Sequence, residues 1–252
     1  MFTRVKTPQE IKDMRASGER LAAVLQAIDR EIVAGMSGKD ASEIAKRELK
    51  KLGGKHAFHG YGGFPDVICI SVNDEIVHGI PTDVPFKDGD LVSFDYGVNY
   101  NGMITDSAFS KFIGGKAPSK DAERLIKTTE QSMYAGIETL KNGVRVGDIA
   151  NNIERVLKRE QLGIIRELVG HGVGHEVHED PNIPNYGVAG TGPKLSAGMT
   201  IAIEPMATLG TQHISVDDDE WTIRTADGSL AAHFEHTILI TDDGYEILTA
   251  WK

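Results

Sequence analysis

The sequence predicts an α+β fold in one domain that spans residues 1–252. Three observations lead to this prediction. Amphipathic helical periodicity alternates twice with strand-like segments, and no linker-like or low-complexity stretch divides the chain. Of the 252 residues, 40% are hydrophobic, which is enough to bury a substantial core.

The ends of the first two helices are marked in the sequence. Thr7-Pro8-Gln9-Glu10 combines an N-cap residue, a proline at the first helical position and a glutamate at the third. A long helix is therefore expected to run from this point through Val33. A second helix over about residues 40–52 should end at Gly53-Gly54, where a positive φ is available. Two more helices are predicted within residues 117–140 and 146–161, followed by a strand-rich C-terminal part.

The dipeptide Asn101-Gly102 predicts a tight type I′ hairpin turn, because both central residues of that turn need a positive φ. With these two residues at the tip, Gly97 faces Asp106. Asp95 then becomes a diagonal cross-strand neighbour of Asp106, at a Cα separation of roughly 7–8 Å. Two carboxylates so placed can converge on one cation. A slip of one residue would turn them to opposite faces, and taken alone a solvated hairpin is the simpler interpretation.

Three later phrases carry further side chains of metal-ligand type. GHGVGHEVHEDP (170–181) places His171 among glycines that permit close approach of a ligand. TIAIEPM (200–206) is expected to be a buried strand that carries Glu204, and burying a carboxylate is costly unless it is paired or metal-bound. AAHFEHTILI (231–240) repeats this pattern with Glu235. Strand alternation puts His233 on the same face as Glu235 and His236 on the other.

Together these phrases predict a centre for divalent metal ions. An oxygen-rich shell with one nitrogen favours harder cations such as Mn²⁺ or Fe²⁺ over structural zinc, and carboxylates can bridge two metals about 3.5–4 Å apart. The implied chemistry is hydrolysis by a metal-activated water. The predicted ligands are four carboxylates and one imidazole, those of Asp95, Asp106, His171, Glu204 and Glu235.

Five phrases, spread over essentially the whole chain, resemble type I methionine aminopeptidases of the pita-bread metallopeptidase superfamily: VHGIP (77–81), FDYGVNYNGMITDSA (94–108), GHGVGHEVHEDP (170–181), IEPM (203–206) and FEHT (234–237). The resemblance implies the pita-bread fold, in which pseudo-twofold helix pairs pack on a curved antiparallel sheet. It also implies removal of the N-terminal methionine from nascent proteins and peptides whose second residue is small. The implied cofactors are two divalent metal ions, with Mn, Fe or Co as candidates.

The same resemblance assigns roles to the site residues. Asp106 and Glu235 would bridge the two metals, Asp95 would complete one of them, and His171 with Glu204 would complete the other. Glu204 would also shuttle the proton of the attacking water.

Two more histidines and a methionine pocket follow from the resemblance. His78 would stabilise the developing charge, and His178 would hydrogen-bond the carbonyl or amide of the substrate. Val177 stands where some relatives carry Phe, and His233 stands where members of the family commonly carry Gln. The side chain of the substrate methionine would lie among Tyr61, Phe64, Cys69, His78 and Trp221.

Composition restricts the compartment and the partners. The single cysteine, Cys69, excludes an internal disulfide framework and fits a reducing compartment. The N-terminal sequence lacks the apolar stretch of a secretion signal, and no segment approaches the ~20 apolar residues of a membrane span. We therefore expect a cytoplasmic protein that binds no membrane.

The net charge of −10 argues against direct nucleic-acid binding. The expected partners are nascent polypeptide N-termini with a free methionine amine, and the protein is expected to be a monomer. Transient association with the ribosome stays open. The acidic segment ISVDDDEWTIR (214–224) would oppose docking to RNA through that loop, and solvated surface is its simplest interpretation.

Two alternatives remain at this point. An Xaa-Pro peptidase or a creatinase-like enzyme of the pita-bread group would share the catalytic part, but such enzymes usually carry an additional N-terminal domain. Here the first ligand phrase begins near residue 92, which leaves little room for one. A non-catalytic binding protein that has lost its metals is the other alternative, and the presence of all five ligands argues against it.

Overall fold

The computed structural model describes residues 4–251. Its α-helices form two pairs, and antiparallel strands follow each pair. The helices are α1 (Pro8–Glu31), α2 (Gly38–Leu52), α3 (Lys120–Ile137) and α4 (Val146–Arg159), with short 3-10 helices at Tyr61–Gly63 and Ile113–Gly115. Among the described residues, no helix combines the length and the apolar character needed to cross a bilayer.

The strands between the two helix pairs are β1 (Lys55–His56), β2 (Cys69–Val72), β3 (Glu75–Val77), β4 (Leu91–Tyr100) and β5 (Met103–Phe112). Those after the second pair are β6 (Gly163–Ile164), β7 (Gly170–Gly172), β8 (Glu179–Ile183), β9 (Thr200–Ile203), β10 (Met206–Thr208), β11 (Ile214–Val216), β12 (Ile223–Thr225), β13 (Ala231–His233), β14 (His236–Ile240) and β15 (Tyr245–Ile247).

Within residues 4–251 the strands form four antiparallel sheets. One contains β1, β4 and β2 with β5 paired to β4, and the largest has the order β15-β14-β9-β7-β8. Two smaller sheets have the orders β13-β10-β6 and β11-β12-β3. Helix α1 packs on β4 and β5, whereas α3 packs on β9, β10 and β13. The apolar core therefore lies between each helix pair and its strands.

The predicted start of α1 and the predicted end of α2 are confirmed. The side chain of Thr7 accepts a hydrogen bond from the amide of Glu10, and the carboxylate of Glu10 accepts one from the amide of Thr7. Gly53 ends α2 with a φ of 77°. The chain departs from the prediction by two residues at two ends: α1 stops at Glu31, and α2 begins at Gly38. Ser37 caps the start of α2, which the sequence reading did not anticipate.

The predicted hairpin is confirmed with its register. Asn101 and Gly102 have φ values of 53° and 86°, as a type I′ turn requires. Gly97 pairs with Asp106, and Asp95 pairs with Ala108. The carboxylates of Asp95 and Asp106 are therefore diagonal neighbours on one face of the β4–β5 ribbon.

A short ladder joins this ribbon to the second half of the chain. The amide of Glu235 donates to the carbonyl of Ala108 at 2.9 Å, and the amide of Ala108 donates to the carbonyl of Glu235 at 3.3 Å. The Thr237 hydroxyl accepts from the amide of Asp106 and donates to the carbonyl of the same residue, both at 2.8 Å. These bonds fix the backbone of Asp106 against that of Glu235.

The expected strand positions of Glu204 and Glu235 are wrong. Strand β9 ends at Ile203 and β10 begins at Met206, whereas β13 ends at His233 and β14 begins at His236. Both glutamates lie in the two-residue breaks between these strands. The two breaks have one cause. Strands β9 and β14 pair in one sheet, and β10 and β13 pair in another. Both chain segments therefore pass from one sheet to the other at the same position along the pairing. Pro205 has no amide hydrogen to continue the ladder.

Replacing Thr237 with Val should lower the free energy of unfolding by about 1–3 kcal/mol, because the buried amide of Asp106 would lose its hydrogen-bond partner while the side-chain shape is kept. Chemical denaturation measures the change. Thr191→Val, at an exposed site, is the control and should change stability by less than about 0.5 kcal/mol. Equal stability of the two variants would show that the Thr237 bonds do not hold the two halves together.

Candidate metal centre

One cavity brings the five predicted ligand residues together. The β4–β5 ribbon supplies two of them, β7 supplies the histidine, and the two strand breaks supply the glutamates. The five ligand residues in the cavity lining are Asp95, Asp106, His171, Glu204 and Glu235. Within this set, potential ligand atoms of Asp106, His171 and Glu235 all lie within 4.8 Å of one another. Oxygen and nitrogen atoms this close can share one cation.

Glycine packing fixes the position of His171. A Cβ added at the preceding Gly170 would lie 2.4 Å from the carbonyl oxygen of Ala202 in the neighbouring strand. Only glycine therefore allows β7 to lie this close to β9. Gly170 thus serves the close approach of a neighbouring strand, whereas these glycines were expected from the sequence to serve the approach of a ligand.

The imidazole of His171 has a defined tautomer. Its Nδ1 lies 2.9 Å from the carbonyl oxygen of Gly172, and because a carbonyl can only accept, Nδ1 carries the proton. Nε2 then presents a lone pair to Oε1 of Glu204, 3.3 Å away. Burial lowers the pKa of His171, but the adjacent Glu204 carboxylate raises it more, so the net shift is upward. Because Nε2 of His171 and Oε1 of Glu204 are both acceptors, a cation or a proton between them is needed to make this contact favourable.

The carboxyl groups of the cluster are buried without enough donors. Burial raises the pKa of Asp95 to about 6. Burial, together with the charges of neighbouring carboxylates, raises the pKa values of Asp106 and Glu235 well above the ordinary range. One oxygen each of Asp95, Asp106 and Glu235 is buried without a hydrogen-bond partner within residues 4–251. No Lys or Arg of this part of the chain forms an ion pair with them. This donor set fits divalent cations, which would supply the missing positive charge.

Glu204 differs from the other carboxylates. Burial opposes its ionisation, but His171 and His233 outweigh that effect and lower the pKa of Glu204 to about 2. It is therefore ionised at neutral pH. His233 is 2% exposed, and its Nε2 lies 3.6 Å from Oε2 of Glu204. His236 lies on the opposite side, where its Nδ1 is 2.9 Å from the Thr249 hydroxyl.

Two further histidines line the same cavity. The ring of His178 lies 4.4 Å from that of His171, and its Nδ1 is 2.9 Å from the Tyr61 hydroxyl. Burial and the nearby His171 lower the pKa of His178 to about 4, so it is neutral at pH 7. Burial also lowers the pKa of His78, whose φ of 59° is unusual for a residue with a side chain. Strained backbone of this kind is concentrated at functional sites.

The remaining wall of the cavity is apolar. Besides the residues expected for the methionine pocket, Phe58 and Val177 contribute to it. Phe58 was not predicted from the sequence. The residue that points to it is Gly97, because a Cβ added at this glycine would lie 2.6 Å from the Phe58 ring. Burial raises the pKa of the Cys69 thiol well above its usual value, so that Cys69 is an uncharged packing residue here. The expected pocket residues all line the cavity: Tyr61, Phe64, Cys69, His78 and Trp221.

The acidic segment 214–224 forms part of this wall. It folds as the β11–β12 hairpin, and the carboxylate of Asp219 accepts hydrogen bonds from the amides of Trp221 and Thr222 at its tip. Trp221 lies edge-on to Phe64, with ring centroids 5.2 Å apart. Arg224 pairs with Asp217 at 2.6 Å. The segment is therefore more than solvated acidic surface, because part of its charge is neutralised and its turn positions an aromatic side chain.

The fold and the buried ligand set together define a metal-dependent hydrolase. Residues 12–242 match the sequence profile of metallopeptidase family M24, and the chain belongs to this family. The resemblance expected from the five sequence phrases is thereby confirmed, as is the binding of divalent metal that membership implies.

Relatives and solved structures agree over nearly the full length. The chain is 44% identical to methionine aminopeptidase 1 of Bacillus subtilis over 97% of its own length and 98% of that protein. It is 42% identical to the methionine aminopeptidase of Clostridium perfringens, with 98% and 99% covered. The crystal structure of methionine aminopeptidase from Thermotoga maritima superposes with a TM-score of 0.96 at 44% identity and covers 98% of this chain and 99% of that one.

A more distant structure shows the fold alone. Prolidase from Pyrococcus furiosus superposes with a TM-score of 0.80 at 23% identity, and the match covers 98% of this chain but 66% of the prolidase. The predicted α+β pita-bread fold is confirmed by these structures.

In metal-free protein, the carboxylate cluster should stabilise the folded state less as the pH rises from 4 to 7. The folded-state pKa values of Asp95, Asp106 and Glu235 are raised, so in this window these groups bind more protons in the folded state than in the unfolded state, and their contribution to the free energy of unfolding falls with pH. Glu204 acts in the opposite sense, but with a pKa of about 2 its effect falls mainly below pH 5. Histidines such as His178, whose pKa is lowered to about 4, also act in the opposite sense and over the same window, so the carboxylate contribution is read from the difference between wild type and Asp106→Asn. Thermal unfolding in EDTA measures the slope.

Adding Mn²⁺ should remove most of this loss at pH 7, because the cation neutralises the carboxylates. Asp106→Asn, which takes away one of the repelling charges, should flatten the pH profile of the metal-free protein. A pH profile of Asp106→Asn in EDTA that coincides with the wild-type profile would contradict the assignment.

Proposed function

We propose that this chain removes the N-terminal methionine from proteins and peptides whose second residue is small. The observation that carries the proposal is that one cavity contains both a buried cluster of carboxylates and imidazole and an aromatic pocket beside that cluster. The names of the full-length relatives support the same activity.

The cluster would hold two divalent metal ions. Asp106 and Glu235 would be shared by both ions, Asp95 would complete the ligands of one, and His171 with Glu204 would complete those of the other. Mn, Fe and Co are the candidates, because four carboxylates and one imidazole make a predominantly hard ligand set. When bound, such ions supply Lewis acidity and lower the pKa of a coordinated water towards 7.

The side chains around the cluster have separate tasks. When the Tyr61 hydroxyl donates to Nδ1 of His178, Nε2 of that histidine keeps its proton and can donate to the scissile carbonyl. His78 faces the same space and would stabilise the charge that develops on the amide. Glu204, ionised at neutral pH, can accept a proton and deliver it to the leaving amine.

The pocket sets the preference for methionine. Phe64 and Trp221 form an edge-to-face pair, and Cys69 adds a small uncharged sulfur to the wall. An unbranched, polarisable thioether fits such an aromatic setting better than a charged or branched side chain does. The substrate amine must then lie at the carboxylate end of the cavity, so a free N-terminus is required.

The cellular setting follows from the proposed substrate. We place the activity in the cytoplasm, where nascent chains present a free methionine amine, and expect the protein to act as a monomer. An Xaa-Pro peptidase is disfavoured, because the prolidase match extends over 66% of that protein and shows the fold alone.

Peptides beginning Met-Ala, Met-Gly or Met-Ser should be cleaved after methionine, whereas their N-formylated forms should resist, because the blocked amine cannot reach the carboxylate cluster. Mass spectrometry of the products after incubation with Mn²⁺ measures this. An Ala-Pro peptide is the control for prolidase-type activity and should remain intact. Equal cleavage of formylated and free peptides would rule out the proposed exopeptidase chemistry.

The variant His178→Ala should lower kcat by about 10²–10³, the scale seen when one oxyanion donor is lost, while metal content stays unchanged. Steady-state kinetics and metal analysis on one preparation measure both quantities. His213→Ala, which removes an exposed histidine outside the cavity, is the matched control and should behave as wild type. If His178→Ala instead lost its metal while remaining folded, His178 would belong among the ligands.

A further inference from the structure

The buried imidazole of His233 has an unusual environment. It is 2% exposed and lies in β13, where it pairs with Met206 of β10. Both ring nitrogens are buried without a hydrogen-bond partner among the described residues. Burying an imidazole unpartnered costs free energy, so the position calls for a group with which the ring interacts in the working enzyme.

The nearest such group is Glu204. Its two carboxylate oxygens face different imidazoles: Oε1 lies 3.3 Å from Nε2 of His171, and Oε2 lies 3.6 Å from Nε2 of His233. The lone pair of His171 and Oε1 point to the same space, so a cation there would take Oε1. Oε2 then remains available to His233, which with His171 is one of two side chains of residues 4–251 within ion-pair distance of the Glu204 carboxylate.

A glutamate carboxylate needs such a restraint to act as a directed ligand. Rotation about its last side-chain torsion is broad and roughly two-fold, so a free carboxylate would exchange or tilt its oxygens. One donor on Oε2 prevents this, and an N–H group at hydrogen-bond distance would suffice. The present separation needs to shorten by about 0.7 Å to reach the usual N–H···O distance of about 2.9 Å.

We propose that His233 is a positioning residue for the metal centre: its Nε2–H donates to Oε2 of Glu204 and thereby directs Oε1 towards the cation beside His171. The proposal deepens the proposed function and rests on its assignment of Glu204 as a ligand. Outer partners of metal-ligating side chains commonly contribute 10–100-fold to metal affinity or activity.

Two substitutions of equal length separate hydrogen bonding from packing. His233→Gln keeps a donor that can reach Oε2, whereas His233→Met has a similar shape and cannot donate. Calorimetric titration of the metal-free proteins with Mn²⁺ gives metal affinity, and steady-state kinetics on a Met-Ala peptide gives kcat and KM. We expect His233→Gln to stay within about threefold of wild type and His233→Met to lose about tenfold or more in Mn²⁺ affinity and in kcat.

A matched control removes a different histidine that makes a hydrogen bond. His56 lies away from the cavity, with Nδ1 2.7 Å from the Tyr96 hydroxyl. His56→Met should lower the melting temperature yet leave Mn²⁺ affinity unchanged. Wild-type Mn²⁺ affinity in His233→Met, or an equal loss in His233→Gln and His233→Met, would overturn the proposal.

A second measurement does not depend on the folding of a variant. In ¹⁵N-histidine-labelled wild type loaded with diamagnetic Zn²⁺, the nitrogen shifts of His233 should show a proton on Nε2, and an unprotonated Nε2 would overturn the proposal. Neither the Mn²⁺ titration nor the tautomer depends on the substrate. Absence of cleavage by wild type would therefore reject the proposed function while these two measurements still decide the role of His233.

Discussion

The burial of several carboxylates in one cavity is the constraint on which the rest of the structure depends. Asp95, Asp106 and Glu235 each carry a buried oxygen without a hydrogen-bond partner in the described part of the chain, and their pKa values are raised by burial. Such a group is costly to fold, because desolvation and mutual repulsion act together. A divalent cation reverses both effects. The backbone must therefore hold the carboxylates together before a cation binds. The hydrophobic core has to supply the free energy that this requires.

Backbone hydrogen bonds between the two halves meet this requirement. The ladder between Ala108 and Glu235 and the Thr237 hydroxyl fix two carboxylate-bearing segments through their main chains, which leaves the side chains free to face the cation. The strand breaks at Glu204 and Glu235 occur at the same level, because both segments change sheet there. A site built from strand ends and breaks on packed sheets is held more tightly than one built on long loops, and tight placement is what metal geometry demands.

Whether a feature could be predicted depends on how far apart in the sequence the interacting residues are. The Thr7–Glu10 cap and the Asn101-Gly102 turn depend on residues next to each other in the chain, and the sequence was sufficient for both. The ligand residues could be named from their types and phrases. The breaks at Glu204 and Glu235 could not, because they arise when two distant segments exchange partners. Thr237 and Phe58 are ordinary in sequence, and only the packing around Asp106 and Gly97 gives them importance.

The loop that carries His178 shows how a distant segment can set the direction of a functional side chain. Glu179, the next residue, accepts hydrogen bonds from the amides of His175 and Glu176 at 2.7 and 3.2 Å and pairs with Lys6 at 3.1 Å. Both charged side chains of that pair are almost fully buried, at 0% and 2% exposure. A buried ion pair contributes little net stability, since desolvation offsets the attraction. It ties Glu179 to the segment before α1, so this segment restrains the backbone from which His178 reaches the cavity.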